Sequence, residues 1–211
     1  MIQWVRKMPG VRLKLLSLSA LGLLLLAAAP QRASAGSLDA AVLQEMNFAR
    51  SHPSEYAREL SRQGETEDPE SAGFAYEDPD AFDEAIDFLR RQPPLPPLKP
   101  DERLAAAAMA HTAGQGPRGD VGHGGPGGDS LGERLHRHGV WAGLAAEDIS
   151  YGYRSPRDIV RQLIVDSGIP NRGHRQNIFG RAYQVAGVAC GRHRVYGSMC
   201  TVDFAGALVK R

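Results

Sequence analysis

Hydrophobic residues recur at helical spacing in two long stretches of the chain. Residues 38–62 are predicted to form a first helix. Pro53 either interrupts this helix or starts a second segment, because proline breaks the helical hydrogen-bond ladder. A second helix is predicted from about Pro100 to Gln115, and one of its faces carries four residues: Leu104, Ala108, His111 and Gln115. His111 is therefore expected to face the core or a cleft, where it is either hydrogen-bonded in the core or in contact with a ligand.

An acidic segment separates these two helices. Residues 65–87 contain ten acidic residues and no basic one. We expect this stretch to begin as a loop and to become helical near Asp80, which would be the N-cap. Arg90 and Arg91 would then lie at the helix end that favours positive charge. The glycine that a calcium-binding EF-hand loop requires at its sixth position is absent. A solvated insertion over about 63–92 with one short helix is therefore favoured over a calcium site.

A short helix is predicted to begin at Ser130 and to end at Gly139, because Ser130 and Glu133 match a capping box. The segment Gly128-Asp129-Ser130-Leu131 also matches the nucleophile motif of one esterase family. In that family a buried strand precedes the serine and an Asp-x-x-His lies near the C-terminus, and neither feature is present here. We therefore interpret Ser130 as a helix cap, and a nucleophilic Ser130 is the disfavoured alternative.

Another helix is predicted to begin at Ser155-Pro156-Arg157-Asp158, where a capping residue precedes proline at the first helical position. Ile159, Leu163 and Asp166 share one face of this helix. A carboxylate on a buried face near the negative end of a helix is unfavourable unless a positive group faces it. Asp166 is therefore expected either to meet such a group or to lie in water at a frayed last turn.

The last part of the chain predicts a β-hairpin. Its strands are expected at residues 183–190 and 195–205, joined by the polar segment 191–194. Cys190 and Cys200 lie one on each strand, so a disulfide bond can link them. A reactive thiol pair is the alternative, but the Cys-x-x-Cys spacing of such pairs is absent. A structural bridge is therefore favoured.

The first 35 residues have the pattern of an export signal. Basic residues come first, and an apolar run over 15–29 follows that is too short to span a membrane well. The small residues Ala33-Ser34-Ala35 then form a cleavage site. Cleavage is predicted before Gly36, which leaves residues 36–211 as one domain with no stable membrane span, exported to the periplasm or the extracellular medium.

Removal of the signal changes the charge of the chain. The full sequence has 25 Lys and Arg against 24 Asp and Glu, and five of the basic residues but none of the acidic ones lie in the signal. The mature chain therefore carries a net charge of −4. A nucleic-acid partner is not expected, because such a surface needs a clustered excess of Lys and Arg.

Two loops are marked by composition. Residues 93–98, Pro-Pro-Leu-Pro-Pro-Leu, must be extended, and a connector within the domain is favoured over a recognition ligand. Residues 122–128 are rich in glycine, but a phosphate-binding loop would end in Gly-Lys-Ser or Gly-Lys-Thr and follow a strand. This second loop is instead expected to pack closely and to present His123 as its one chemical group.

A candidate site centres on His174, in the segment 173–179 that we expect to be a loop or short helix aiming the imidazole inward. His123, Glu147 and Asp166 lie upstream and can meet it, with Glu147 on a possible strand within 143–153. Two imidazoles and two carboxylates in one cleft would form a metal site or an acid–base site.

These residues, taken in order, resemble the CAP superfamily of cysteine-rich secretory proteins, antigen 5 and pathogenesis-related plant proteins, and most of all its bacterial exported branch. The resemblance covers nearly all of residues 39–205. The segments that carry it are Asn47-Phe48-Ala49-Arg50, Pro-Leu-Pro-Pro-Leu-Lys at 94–99, the helix ending in His111, Gly122-His123, Glu133-Arg134, Glu147-Asp148-Ile149, residues 173–178 and Gly187-Val188.

The resemblance implies an α+β fold, a CAP-type α-β-α sandwich in which a small antiparallel sheet lies between helical layers. It also implies a cleft with two histidines and two acids, which binds divalent metal in some members. Carried over by position, the candidate metal ligands are His123, Glu147, Asp166 and His174. This chain departs from the usual pattern in three places. Asp148 stands where bacterial relatives often have asparagine, and Asp166 stands where many have glutamate. The link at 168–172 is longer than usual.

Three functional classes follow from these four groups. The favoured one is an extracellular binding module with a metal-responsive cleft, and zinc suits two imidazoles and two carboxylates better than magnesium or calcium does. The second is a secreted hydrolase, with Glu147 as the base for metal-activated water or with direct histidine–glutamate acid–base chemistry. The third is a buried network that joins helices to sheet without a ligand. The partner is expected to be a small molecule, a lipid or a cell-envelope component, which the fold alone does not identify.

Overall fold

The computed structural model describes residues 37–66, 78–125 and 127–209. Within these ranges the helices are α1 (Leu38–Ser51), α2 (Pro53–Thr66), α3 (Pro79–Arg91), α4 (Glu102–Gln115), α5 (Leu131–Arg137), α6 (Pro156–Val165) and α7 (Gly173–Ile178). The strands are β1 (Lys99–Pro100), β2 (Ala145–Tyr151), β3 (Val185–Gly191) and β4 (Met199–Ala205). None of the described helices is both long enough and apolar enough to cross a membrane. The predicted export signal lies outside the described residues.

The described strands form one sheet in the order β1-β3-β4-β2. β3 and β4 make an antiparallel hairpin, and β2 pairs antiparallel with β4 so that Glu147 lies opposite Asp203. The short β1 pairs parallel with β3, with Lys99 opposite Val185. The expected antiparallel sheet is therefore confirmed for the three long strands, and β1 adds a short parallel edge.

The sheet lies between two helical layers. Alternate residues of a strand point to opposite faces, so neighbouring residues can pack against helices of different layers. On β4, Phe204 enters the larger core together with residues of α1, α2, α3, α6 and α7. The next residue, Ala205, enters a smaller core that contains Leu104 of α4. Gly187 of β3 lets α4 approach closely, since a Cβ atom there would lie 2.0 Å from the backbone nitrogen of Ala105. These contacts confirm the predicted α-β-α sandwich.

The C-terminal hairpin is confirmed, although its strands are shorter than predicted. β3 starts at Val185 and β4 at Met199, because residues 192–198 form the connection between them. Cys190 and Cys200 lie directly opposite each other, with their Cα atoms 4.0 Å apart, and form a disulfide bond. The expectation of a structural bridge is therefore confirmed.

Local capping chemistry sets where the helices begin. Ser130 caps α5, because its Oγ accepts from the N–H of Glu133 while the Glu133 carboxylate accepts from the N–H of Ser130. The expectation that Asp80 caps α3 is wrong, because the cap is Asp78, whose Oδ1 accepts from the Asp80 N–H at 3.1 Å. The helix begins at Pro79 because proline has a fixed φ and no N–H, which suits the first helical position.

The two long predicted helices also have different bounds in the structure. The first is divided at His52, and Pro53 starts α2. The second begins at Glu102 rather than near Pro100, because Lys99 and Pro100 pair with β3 and Asp101 caps α4. Proline therefore marks a boundary at both places, as its geometry requires.

Candidate functional site

A cleft of about 340 Å³ crosses the edge of the sheet at β2. Its lining residues come from both helical layers and from β2: Gly122, His123, Ile149, Tyr151, Tyr153, Gln162, Asp166, Ser167, Ile169 and His174. Because β2 is an edge strand, the loop after α4 and the segment between α6 and α7 can meet across it. Three of the four candidate ligands line this cleft, and the fourth, Glu147, lies buried behind His123.

The first histidine–carboxylate pair joins His123 to Glu147. Nδ1 of His123 lies 2.9 Å from Oε1 of Glu147. The Glu147 side chain is 1% exposed, whereas that of His123 is 58% exposed. Arg134 of α5, also buried, donates a hydrogen bond to the other carboxylate oxygen of Glu147. Glu147 is therefore a buried, charge-paired carboxylate that holds one edge of an exposed imidazole.

The second pair joins His174 to Asp166. Nδ1 of His174 lies 2.6 Å from Oδ1 of Asp166, and the backbone N–H of His174 donates to Oδ2 at 2.8 Å. Asp166 follows α6 in the left-handed conformation, with a φ of 57°, which brings its carboxylate to the start of α7. The alternative in which Asp166 lies in water is wrong. The residue is 2% exposed because the first turn of α7 supplies donors to it.

Both pairs use the same atom of the imidazole ring. An ionised carboxylate can only accept a hydrogen bond, so in the neutral form of either imidazole the proton is on Nδ1. Nε2 then keeps a free lone pair, and no described residue bonds to it in either ring. Histidines that bind metals are held in this way, with the second ring nitrogen on a carboxylate.

Two polar side chains hold the glycine-rich loop that carries His123. Gln115 donates to the carbonyl oxygens of Gly122 and Gly124 at 2.7 and 3.1 Å. The Tyr151 hydroxyl accepts from the Gly122 N–H at 3.0 Å and donates to the Gln115 side chain at 3.2 Å. Sequence reasoning placed Gln115 on the inward face of its helix but gave it no role, and it missed Tyr151. The contacts depend on a loop conformation that helical spacing does not predict.

His111 is the hydrogen-bonded core histidine rather than a residue of the cleft wall. It is fully buried, and its Nε2 lies 3.1 Å from the carbonyl oxygen of Gly122. Burial lowers its pKa below the usual value, although the negative charge of Glu147 acts in the opposite direction. His111 is therefore neutral at pH 7 and supports the loop by donating a hydrogen bond.

Buried carboxylates around the pairs differ in their ionisation. Burial opposes ionisation of Glu147, but the hydrogen bond from His123 and the basic groups around it lower its pKa below the usual value. Burial, reinforced by the charge of Glu147, raises the pKa of Asp203 well above its usual range, and neither Asp203 oxygen accepts a bond from a described donor. On the other sheet face, burial also raises the pKa of Asp148, although Asn177 donates to it at 2.7 Å.

The four candidate ligands stand as two pairs rather than as one tight cluster. Among the described residues, no group of three or more His, Cys, Asp or Glu side chains lies close enough to hold a metal ion. Both carboxylates already accept hydrogen bonds, whereas the two Nε2 atoms have no described partner and are free to bind a metal ion. An ion shared by the pairs stays a prediction.

Solved structures of bacterial proteins are similar to this chain. An extracellular protein containing a SCP domain from Bacillus anthracis has 25% identity and a TM-score of 0.47, over 61% of this chain and 40% of that one. An outer surface protein from Borrelia burgdorferi has 17% identity and a TM-score of 0.45, over 53% and 79%. A cysteine-rich secretory protein from Staphylococcus aureus has 15% identity and a TM-score of 0.41, over 64% and 41%. The matches span less than half of the Bacillus and Staphylococcus proteins.

Sequence comparison identifies the family. No curated protein sequence gives a significant match. The model of the cysteine-rich secretory protein family, CAP, matches residues 84–204. This segment is more than half of the chain and contains both histidine–carboxylate pairs, the residues that hold the His123 loop and both cysteines of the disulfide bond. The chain belongs to the CAP family of cysteine-rich secretory proteins.

Proposed function

We propose that this chain is an exported binding module whose cleft holds a divalent metal ion, best suited to zinc, on Nε2 of His123 and of His174. One observation carries the proposal: each imidazole at the cleft wall is fixed through Nδ1 by a buried carboxylate. Fixing one ring nitrogen selects the tautomer in which the other is a metal donor. Glu147 and Asp166 then orient the two rings instead of binding the ion directly.

The donor set fits zinc. Zinc binds neutral imidazole nitrogens, and a site with fewer than four protein ligands leaves positions for water or a ligand, whereas magnesium and calcium prefer oxygen. The carboxylates have other partners, because Arg134 donates to Glu147 and the His174 backbone donates to Asp166. When bound, the ion would place positive charge in the cleft and attract a ligand with an oxygen donor.

The rest of the cleft suits a ligand with an apolar part. Ile149, Tyr153 and Ile169 contribute to its wall beside the two imidazoles. A cleft of about 340 Å³ with convergent polar groups and apolar walls fits a small molecule, or one end of a lipid or cell-envelope component. Binding is favoured over hydrolysis because Glu147, the base of the alternative hydrolase, lies behind His123 and accepts from Arg134 instead of lining the cleft. A serine nucleophile is also disfavoured, because Ser130 is bonded to Glu133 as the cap of α5.

A network without a ligand is the competing proposal, and one observation favours it. Arg134 already faces Glu147, and the N–H groups of α7 already face Asp166, so neither carboxylate needs a metal for its charge to be compensated. In this alternative the first pair joins the His123 loop to β2, the second joins the end of α6 to α7, and metal ions do not change the stability of the protein.

Thermal unfolding with zinc or with a chelator separates the two proposals. Zinc bound to the native protein raises its melting temperature by mass action. His174→Ala and His123→Ala should each abolish this gain, while the control His138→Ala, in a histidine outside the cleft, should keep it. The measured quantity is the melting temperature of the variant minus that of the wild type in zinc, from which the same difference in chelator is subtracted. A value of zero for both cleft histidines would contradict the metal site and favour the ligand-free network.

Export rests on the pattern of residues 1–35 and has a separate test. N-terminal sequencing of the protein recovered outside the cytoplasm should give Gly36 as the first residue. Retention of Met1 would mean that the segment is an uncleaved anchor.

A further inference from the structure

A second cavity lies at the β1 edge of the sheet, opposite the edge that carries the cleft. Its volume is about 360 Å³. It forms where the end of α1, the proline-rich connector, the start of β3 and the end of β4 meet. None of the described residues lines both this cavity and the cleft. Among the described residues, the lining includes Arg50, Lys99 and Arg181 and no Asp or Glu.

Arg50 places a buried positive charge at this cavity. The residue is 1% exposed, and within the described part of the chain its guanidinium bonds only to neutral backbone carbonyls. Nε and Nη2 donate to Pro96 at 3.2 and 3.1 Å, and Nη1 donates to Ile178 and Gly180. Burial lowers its pKa to about 10. No described carboxylate compensates this charge, which leaves the cavity with a fixed positive field.

Lys99 and Arg181 add two positive groups that can reach a ligand. Both are exposed, and neither side chain forms an ion pair with any described Asp or Glu. Free guanidinium and ammonium groups bind carboxylate and phosphate through charge-assisted hydrogen bonds. Three positive groups around one concave surface, with no described acid in its lining, therefore favour an anion.

The walls between these groups are largely apolar and include Pro97, Val185 and Leu208, with Tyr183 beside them. The cavity holds about ten times the roughly 30 Å³ that one water occupies in the liquid, so an inorganic anion alone would fill little of it. The geometry points to a binding site for a small organic anion, a phosphate or carboxylate head on a compact apolar body. Lys99 and Arg181 contact the head, and Arg50 supplies the fixed charge behind it.

Four probes separate the parts of this inference: phenyl phosphate, benzoate, inorganic phosphate and benzyl alcohol. Titrations of the mature protein, followed by NMR shifts of Tyr183, Val185 and Leu208, should show phenyl phosphate or benzoate binding more tightly than inorganic phosphate. Benzyl alcohol should bind least. The order of the first two distinguishes a phosphate head from a carboxylate head. Benzyl alcohol binding as tightly as the better of the two aromatic anions would overturn the anion site, and inorganic phosphate binding as tightly as that anion would overturn the organic body.

The double variant Lys99→Gln/Arg181→Gln changes exposed residues and should weaken binding of the better anion by at least about tenfold. The matched control is Arg192→Gln/Arg194→Gln, which removes the same charge from exposed residues beyond the far end of β3, about 20 Å along the strand. The control should bind as the wild type does. Equal losses of anion affinity in both double variants would overturn the site. The absence of NMR shifts at the lining residues of the wild type would overturn it as well. The proposed zinc site at the cleft uses none of these residues, so the result of the zinc experiment and the result of the anion experiment are independent of each other.

Discussion

The two histidine–carboxylate pairs have the same atomic arrangement but different supports for the acid. Glu147 lies on β2 and is charge-paired with Arg134, with both side chains almost fully buried. Asp166 has a left-handed backbone after α6 and is held by the backbone N–H of His174. The first acid therefore depends on one charge from helix α5, and the second depends on local hydrogen bonds.

The imidazoles differ as well. The His123 side chain is 58% exposed on a glycine-rich loop, and that of His174 is 17% exposed at the start of α7. The first pair thus combines a strongly fixed acid with an exposed ring, and the second fixes both partners. The comparison shows that the same histidine–carboxylate arrangement can be supported either by a buried charge pair or by backbone hydrogen bonds. A lost charge pair costs more than a lost hydrogen bond, so the pairs should respond differently to substitution.

The largest effect is expected for Arg134→Ala. Removal of this guanidinium leaves Glu147 buried without its charge partner, next to the buried Asp203. The free energy of unfolding in urea should fall by about 3–5 kcal/mol. The control Arg137→Ala removes an arginine on the same helix whose side chain is 58% exposed, and its cost should stay below about 1 kcal/mol. Equal losses in the two variants would mean that Glu147 does not need Arg134.

A smaller loss is expected at the other pair. Asp166→Ala removes the acceptor of two hydrogen bonds from His174 and should lower the unfolding free energy by about 2–3 kcal/mol. Asp166→Asn should lose less, because asparagine tolerates the left-handed backbone and keeps one acceptor. Zinc titration should show either variant binding about 10- to 100-fold more weakly, but still better than His174→Ala. Unchanged zinc affinity would remove Asp166 from the site.

The pH dependence of stability tests the buried acid behind the first pair. Asp203 has a raised pKa in the fold, so above its unfolded value of 3.8 the unfolded chain releases a proton that the fold retains. This group therefore makes the wild type less stable as pH rises from about 4 towards the folded pKa. Asp203→Asn should become more stable relative to wild type over this window, by at most about 1.4 kcal/mol per pH unit. Urea unfolding in chelator at several pH values measures this difference, and a constant difference would contradict it.

The smallest effect is expected at the loop that carries His123. Gln115→Leu removes the hydrogen bonds to Gly122 and Gly124 and should weaken zinc binding by less than about tenfold, because the imidazole keeps its carboxylate. The control Gln176→Leu changes an exposed glutamine beside the other pair, on α7. If Gln176→Leu lowers zinc affinity as much as Gln115→Leu does, the loop is not specifically held by Gln115.

Features set by neighbours in the chain were predictable. The capping box of Ser130 and Glu133 and the proline start of α6 involve residues three or fewer positions apart. The hairpin follows from its strand pattern, and its disulfide follows from the hairpin. The wrong cap at Asp80 also concerns residues close in the chain, because Asp78 followed by Pro79 is the stronger start signal for α3.

Features set by distant residues were only partly predictable. The resemblance predicted that His123 and His174 share one cleft. Only the structure shows that each imidazole meets its carboxylate through Nδ1. Asp166 reaches His174 only because its backbone is left-handed, and helical spacing does not predict this. Asp203 lies beside Glu147 through the register of β2 on β4, which the order of residues along the chain does not reveal. The partners of the acids are therefore what sequence reasoning missed.

A double-mutant cycle of zinc affinity at His123 and His174 tests the shared ion most directly. Equilibrium competition with a chelator would give the affinity and the number of ions for the wild type, for His123→Ala, for His174→Ala and for the double variant. A shared ion predicts one zinc per chain, a large loss in each single variant and little further loss in the double variant, because the two effects are not additive. Two ions per chain, or losses that add, would show that the histidines bind separately and would contradict the shared site.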